Sequence, residues 1–455
     1  MPDWPEHAIW WQLHPLTFTG ADGAPGHRLT RIEAWLDYLT DLGGNGLLLG
    51  PIFASETHGY DTVDHFRIDP RLGTEEDFAH LVEQCRARGV RLLLDGVFNH
   101  VGRGFGPFQD VLAHGRSSAY APWFRLDFDA DASADADANA DADNGGSDGF
   151  GYADFEGHRE LVALDHDEPA VQDYVTSVMT HWLDRGASGW RLDAAYAVPA
   201  PFWRAVTGLV RRSHPDTWLV GEVIQGDYIA AVRDGGLDSV TQYELWKGIW
   251  SSLNDRNFFE LAHTLTRHNE FAAAFLPQTF VGNHDVTRLA SRLTDPEHLP
   301  HALAVLFTVA GSPSVYAGDE QAFRGVKYDR AGGDDEIRPA FPDSPAGLPP
   351  DGWPTYRLHQ DLIGLRRRHP WLARAATEVL TVRNEALAYR ASHPGDGPDL
   401  AVLLNVSADK VSFDLLGRPA HYLLGSDASA SDDAASGVLD AHGWAILELA
   451  RQAEA

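Results

Sequence analysis

Gly189-Trp190-Arg191-Leu192-Asp193 is a short apolar run that closes on an acid. Three other stretches repeat that arrangement: Asp95-Gly96-Val97-Phe98-Asn99-His100, Val220-Gly221-Glu222-Val223 and Phe280-Val281-Gly282-Asn283-His284-Asp285. Each sets a carboxylate at or just after the end of a strand-like segment. In a parallel barrel, side chains from the carboxyl ends of several strands converge on one face. Four acids placed this way predict both a barrel and a site at its mouth.

Outward from these stretches, apolar strand candidates alternate with helical segments, the pattern of βα units. The strands are expected at Ile9 to Leu13, Gly46 to Leu49, Val90 to Leu94, Gly189 to Leu192, Trp218 to Gly221, Ser239 to Tyr243, Gln278 to Val281 and Pro313 to Tyr316. Between them, Arg31 to Leu42, Glu75 to Arg88, Pro169 to Arg185 and Phe202 to His214 carry apolar residues three and four apart, as covering helices do. Thr74 provides an oxygen cap ahead of three acidic residues, and Gly89 a stop. The predicted class is α/β: a (β/α)8 TIM barrel with an insertion after the third strand and a C-terminal antiparallel β domain. Residues 1–102 and 162–369 are assigned to the barrel, 103–161 to the insertion and 370–455 to the β domain. Within the insertion, the Asp/Ala alternation over 129–148 lacks the apolar area to offset its ordering entropy and predicts a disordered tip. Its Asp spacing has neither the loop glycine nor the terminal Glu of an EF-hand.

A chain of 455 residues that is 44% hydrophobic can bury a large core, and no run approaches the ~20 apolar residues of a membrane-spanning helix. The formal charge of −30 repels phosphates and anionic lipid heads, which argues against nucleic acid and membrane partners and favours neutral substrates. The opening Met1-Pro2-Asp3-Trp4-Pro5-Glu6 is acidic where a secretory signal is basic. With the single cysteine, Cys85, this predicts a cytoplasmic protein. Cys85 lies in a helical run, where it packs rather than reacts. Oligomeric state is not legible.

In order and spacing, the four acidic stretches resemble the signature regions of the α-amylase family, glycoside hydrolase family 13. That resemblance implies retaining cleavage of α-glucosidic bonds, with Asp193 as nucleophile, Glu222 as general acid/base and Asp285 as the third carboxylate. Retention requires two carboxyl groups ~5 to 5.5 Å apart. Arg191 shares a strand face with Asp193 and keeps it ionised, whereas Glu222 should lie near other acids and partly away from water. The resemblance also implies that His100 and His284 bond sugar hydroxyls, that Tyr60 stacks under the same sugar, and that Asp95 and Arg288 brace the nucleophile and the third carboxylate. Trp246 and Trp250, four apart on a helix, offer either a sugar platform or core packing, and Arg338 is a further candidate to reach substrate.

Two departures matter. Calcium-dependent members place Lys-His at the third and fourth positions after the nucleophile, where this chain has Tyr196 and Ala197. Asn99 matches a family calcium ligand, but Ala163 replaces the usual carboxylate, so no cofactor is expected to be required and calcium is disfavoured. Together with Gly311 to Glu320, which resembles the maltogenic amylase, neopullulanase and cyclomaltodextrinase branch, this suggests short or cyclic malto-oligosaccharides. That branch usually carries an amino-terminal domain with no counterpart in this sequence. The alternatives are a transglycosylase sharing the covalent intermediate and a noncatalytic binding or transporter subunit.

Overall fold

Eight parallel strands form the centre of the computed structural model, which describes residues 3–21, 23–129, 149–330, 332–415, 417–426 and 431–450. They are β1 Trp10–Leu13, β2 Gly46–Leu49, β3 Arg91–Gly96, β4 Gly189–Leu192, β5 Trp218–Gly221, β6 Ser239–Val240, β7 Gln278–Phe280 and β8 Ser312–Tyr316. Each pairs with its neighbour in sequence, β8 pairs with β1, and a parallel bridge from Thr241 to Gln278 closes the ring. The Asp/Ala-rich tip falls outside the described residues from 130 to 148.

The period of two along each strand divides the apolar residues between two cores. Trp11, Leu47, Leu49, Trp190, Leu192 and Leu219 face outward into the layer shared with the helices. Trp10, Leu48, Leu93, Trp218 and Val220 face inward and fill the barrel axis. Gly46 makes room for this plug, since a Cβ there would lie 2.3 Å from Trp10 Cε3. One step of two residues further along, the inward positions become Gln12, Asp95 and Glu222, and on β4 they are Arg191 and Asp193. The plug is therefore the floor on which the polar groups stand.

The helices relevant here are α1 Leu36–Leu42, α2 Glu75–Ala87, α3 Pro169–Asp184, α4 Ala200–Ser213, α5 Tyr228–Gly235, α6 Tyr243–Asn254, α7 Phe258–Ala274, α8 Leu299–Thr308 and α9 Trp353–Arg368. A reciprocal Thr74–Asp77 capping box opens α2, and Gly89 follows it at φ +69°. Cys85, 2% exposed, packs in its apolar face. Apart from shifts of one or two residues at element ends, three regions depart from the sequence expectation. The predicted Arg31 to Leu42 helix is two pieces, Leu29–Glu33 and α1. Strand β6 stops at Val240, and Tyr243 instead opens α6, where the Gln242 side chain accepts from the Leu245 N–H. The stretch after β3 holds a nine-residue helix, Gly106–His114, besides a small sheet of His100–Gly102, Asp154–Phe155 and His158–Ala163.

Beyond α9, five strands form an antiparallel sheet in the order β9 Ala376–Arg383, β10 Ala386–Ser392, β11 Asp399–Asn405, β13 Trp444–Leu449 and β12 Ala420–Gly425. Two of these, β9 and β12, escape the sequence pattern because their residues are mostly half-buried and do not alternate cleanly. The alternating run from Lys410 to Leu415 contributes only Val411–Ser412, paired with Val438–Leu439 beside the main sheet.

Candidate active site

One guanidinium organises the mouth of the barrel. Arg191 Nη1 donates to both Asp95 oxygens at 2.8 and 2.7 Å and to Asp193 Oδ1 at 2.8 Å. Its Nη2 lies 2.7 Å from Glu222 Oε1 and 3.8 Å from Asp285 Oδ2. The carboxylates predicted from four separate stretches thus meet around a single cation. Asp193 and Glu222 are buried, while Asp285 keeps 28% side-chain exposure at the rim.

Glu222 is held on three sides. Besides Arg191, it accepts from the Tyr243 hydroxyl at 3.2 Å and from the Ala194 N–H at 3.0 Å. Ala194 sits at φ +44°, a left-handed conformation unfavourable for a residue with a Cβ. Asn283 in turn donates to the Tyr243 oxygen at 2.9 Å and accepts from the Asp285 N–H at 2.9 Å, linking the second and third acids.

A second chain of hydrogen bonds starts at Gln12, whose amide meets His284 Nδ1 at 2.9 Å. This leaves Nε2 to carry the proton, facing Asp285 Oδ2 at 3.0 Å and the Tyr60 hydroxyl. Tyr60 then donates to Asp95 Oδ2 at 3.2 Å, and its ring lies parallel to that of His284. Arg338 completes the mouth, bonding Asp285 Oδ1 at 2.9 Å and the His284 carbonyl at 2.8 Å.

Burial, followed by repulsion from Glu222, Asp95 and Asp285, pushes the Asp193 carboxyl well above its ordinary range against the pull of Arg191. Burial likewise lifts Asp95 to about 6 in spite of Arg191. Asp285 moves the other way: although burial opposes it, His284, Arg338 and Arg191 hold it well below the usual carboxylate range. His284 is itself driven well below its normal value by burial and the two arginines. It is therefore a neutral hydrogen-bond donor, and the lasting positive charge beside Asp285 belongs to the arginines. Asp95 and Asp193 share the Arg191 cation and repel each other, so a proton they retain belongs to the pair rather than to either residue.

Beneath the acids, a cavity of about 10 Å³ lined by Gln12, Leu48, Arg191 and Glu222 has room for about one water. A roomier recess of about 610 Å³ opens at the opposite end of the strands, among Cys85, Arg91, Leu183 and Thr217. It holds no comparable convergence of acids, so chemistry rather than size marks the site.

The family described as "Alpha amylase, catalytic domain" matches residues 12–376. The chain belongs to the α-amylase family of glycoside hydrolases. A cyclomaltodextrinase from Geobacillus thermopakistaniensis (strain MAS1) is 30% identical over 417 residues, which are 84% of this chain and 66% of that protein. An intracellular maltogenic amylase from Bacillus subtilis (strain 168) is 31% identical over 355 residues, 71% of this chain and 57% of that one. The chain thus spans about two thirds or less of these two relatives. Among solved structures, the ligand-free cyclic α-maltosyl-(1→6)-maltose hydrolase of Arthrobacter globiformis aligns at a TM-score of 0.79 and 26% identity, covering 99% of this chain and 100% of that one.

Not every residue expected from the family pattern faces the mouth. Arg288 bonds Asp319 at 2.8 Å and lies over the Tyr316 ring, 1% exposed. The guanidinium on Asp285 is Arg338's, because the loop after β7 turns Arg288 back toward the end of β8. His100 is present but engaged: Asn99 meets its Nδ1 at 3.2 Å, the Tyr60 carbonyl its Nε2 at 3.1 Å, and Phe155 stacks on it at 4.7 Å. Trp246 and Trp250 are tilted at 59° to each other, with Arg292 over both. This is packing rather than an open platform. Sequence reading missed Gln12, Tyr243 and Asn283. All three stand near carboxyl ends of strands, which is the signal that could have found them.

The residues around Asn99 do not fit calcium. Ala163 pairs with His100 and offers no side-chain oxygen, and Arg125 meets the adjacent Leu164 carbonyl at 3.5 Å. A calcium ion takes about six to eight oxygens, and this set, with a cation in it, does not supply them. Exhaustive EDTA treatment is expected to leave kcat unchanged. A loss rescued by calcium alone would contradict that expectation.

Behind Arg288, Glu320 accepts from the Tyr38 hydroxyl at 2.9 Å and the Gly318 N–H at 2.9 Å. Burial raises it from 4.5 to about 7. Because the folded value lies above the unfolded one, Glu320 contributes stability that is complete below about pH 4.5 and fades as pH rises through about 7. Glu320→Gln mimics the protonated form, so thermal melts from pH 5 to 8 should decline less steeply than in the wild type. Parallel curves would show that Glu320 holds no proton.

Proposed function

We propose that this chain is a retaining hydrolase of α-glucosidic bonds in short or cyclic malto-oligosaccharides. The observation that carries the reading is the single Arg191 guanidinium holding Asp193 and Glu222 side by side, with Asp285 at the third corner. The names of the relatives, cyclomaltodextrinase and maltogenic amylase, support the substrate class.

In this mechanism substrate reacts with the form in which Arg191 holds Asp193 as a carboxylate, against the burial that favours its acid, and Glu222 carries the proton. Asp193 attacks the anomeric carbon while Glu222 gives its proton to the departing oxygen, forming a glycosyl ester and releasing the aglycone. Glu222, now ionised, takes a proton from water as that water attacks the same carbon. The ester bond breaks, Asp193 returns as carboxylate and Glu222 as acid. Asp285, kept ionised by Arg338, holds sugar hydroxyls and faces the positive charge that develops on the ring. Tyr60 offers its ring to the sugar, and His284 offers its Nε2–H. Asp95 keeps Arg191 in place. Arg288 acts at one remove, by anchoring the end of β8 through Asp319.

The insertion, 103–161 in this proposal, adds a rim: Tyr196 donates to Glu156 at 2.9 Å across the mouth. The same proposal assigns 1–102 and 162–369 to the catalytic barrel and 370–455 to the β domain. It places the protein in the cytoplasm, supported by the buried free thiol of Cys85 and the intracellular relative. Among the described residues, no helix is long and apolar enough to cross a membrane.

A product profile over maltose, maltotriose, cyclodextrin, pullulan, isomaltose, sucrose and cyclic maltosyl-maltose, with anomers followed by NMR, tests the reading. Products released first as α-anomers from the maltose series support it; β-anomers would overturn retention. Longer oligosaccharides at high sugar concentration would reassign the chain as a transglycosylase.

A further inference from the structure

Outside the group of acids around Arg191, two histidines and an aspartate converge where the barrel meets the C-terminal sheet. Asp295 and His298 stand in the segment leading into α8, and His442 stands in the turn before β13. His298 Nε2 lies 3.1 Å from His442 Nδ1. Asp295 Oδ2 lies 3.8 Å from the first nitrogen and 4.0 Å from the second. Donors at ~2.0 to 2.2 Å from a tetrahedral ion are separated from one another by about 3.4 Å. The observed triangle brackets that edge, so small side-chain rotations suffice to close it on an ion. Glu297 Oε2, 3.9 Å from His442 Nδ1, is in place to become a fourth donor.

The triangle is braced from outside. Asp295 commits its other oxygen to the Glu297 N–H at 3.0 Å, leaving Oδ2 free of that bond. His301, one turn along α8, meets the carbonyls of Asn405 and Gly443 at 3.1 Å each and fixes the backbone beside His442. The His442 N–H donates to the Ser407 carbonyl at 3.0 Å, and its φ of +52° is a costly conformation that aims the ring at His298. His298 is 4% exposed, His442 27% and Asp295 37%, so the site is closed on the protein side and open to an arriving hydrated ion.

We propose that Asp295, His298 and His442, with Glu297, bind a zinc-class divalent transition metal that clamps the barrel to the C-terminal sheet. Two imidazoles with carboxylate oxygens suit zinc, cobalt or nickel and disfavour calcium and magnesium, which take oxygen donors.

The test uses the full chain without a polyhistidine tag. Zinc chloride is titrated by calorimetry, cobalt chloride is followed by its visible absorption, and melting temperature is read with and without each ion. The expected result is one zinc site of micromolar affinity or tighter, a cobalt spectrum of tetrahedral intensity, and a melting temperature raised by a few degrees at ~100-fold excess over Kd. His442→Asn, chosen because Asn tolerates positive φ, and Asp295→Asn, which retains the cap, should each weaken zinc at least tenfold. Both should leave metal-free activity unchanged. Zinc binding weaker than millimolar, equal binding to the wild type and both variants, or equal stabilisation by calcium would each overturn the assignment. The two histidines would then be a simple hydrogen-bonded pair.

Discussion

Asp193→Asn is expected to lower kcat on maltotriose or a cyclodextrin by on the order of 10^4-fold or more, with a melting temperature equal to or above that of the wild type. In the proposed mechanism the activity is lost because an amide replaces the carboxylate that attacks the anomeric carbon. Stability is preserved because the substitution takes one like charge out of a buried cluster in which Asp193 is already pushed toward its protonated form. Glu222→Gln is the companion. With an α-maltosyl fluoride, the leaving group needs no proton, so the first step proceeds and the second, deprived of its base, stalls. Intact-mass spectrometry should then find one maltosyl unit on the protein, and peptide mapping should place it on Asp193. An adduct on Asp95 or Asp285 would reassign the nucleophile.

Arg191→Leu should abolish activity and destabilise the fold by about 3 to 5 kcal/mol, as expected when one partner of a buried ion cluster is removed. The effect arises because Asp95, Asp193 and Glu222 all lie within 2.8 Å of this one side chain. Arg191→Lys separates charge from shape: an ammonium restores the cation but not the planar fork. It should recover much of the stability and little of the activity. Urea denaturation beside kcat measurement distinguishes the two losses. Wild-type stability in Arg191→Leu would mean that the acids are largely neutral without their cation.

What could be read in the sequence and what could not divide along the strands. Asp95, Arg191, Asp193 and Glu222 were legible because strand alternation fixes which face each occupies, and the barrel brings those faces together. Tyr243 was assigned to the end of a strand and proved to open a helix, since two residues of β6 suffice to complete the ring. Arg288 and Arg338 lie in loops, where no period constrains direction. The family resemblance gave Arg288 to Asp285, but the contact is made by Arg338, a residue 53 positions away. His100 was expected from the resemblance to bond sugar hydroxyls, and its engagement by Asn99, Tyr60 and Phe155 depends on tertiary neighbours that no local pattern contains.

The shared guanidinium also bears on engineering. With one common counterion, the acids at the mouth form a single polyprotic body, and editing any of them redistributes protons among the rest. Arg338 is different: it touches the acids only through Asp285, at the edge of the group. Retuning the acidity at which the enzyme works best is therefore a problem for the periphery, where a charge can be adjusted without dismantling the centre.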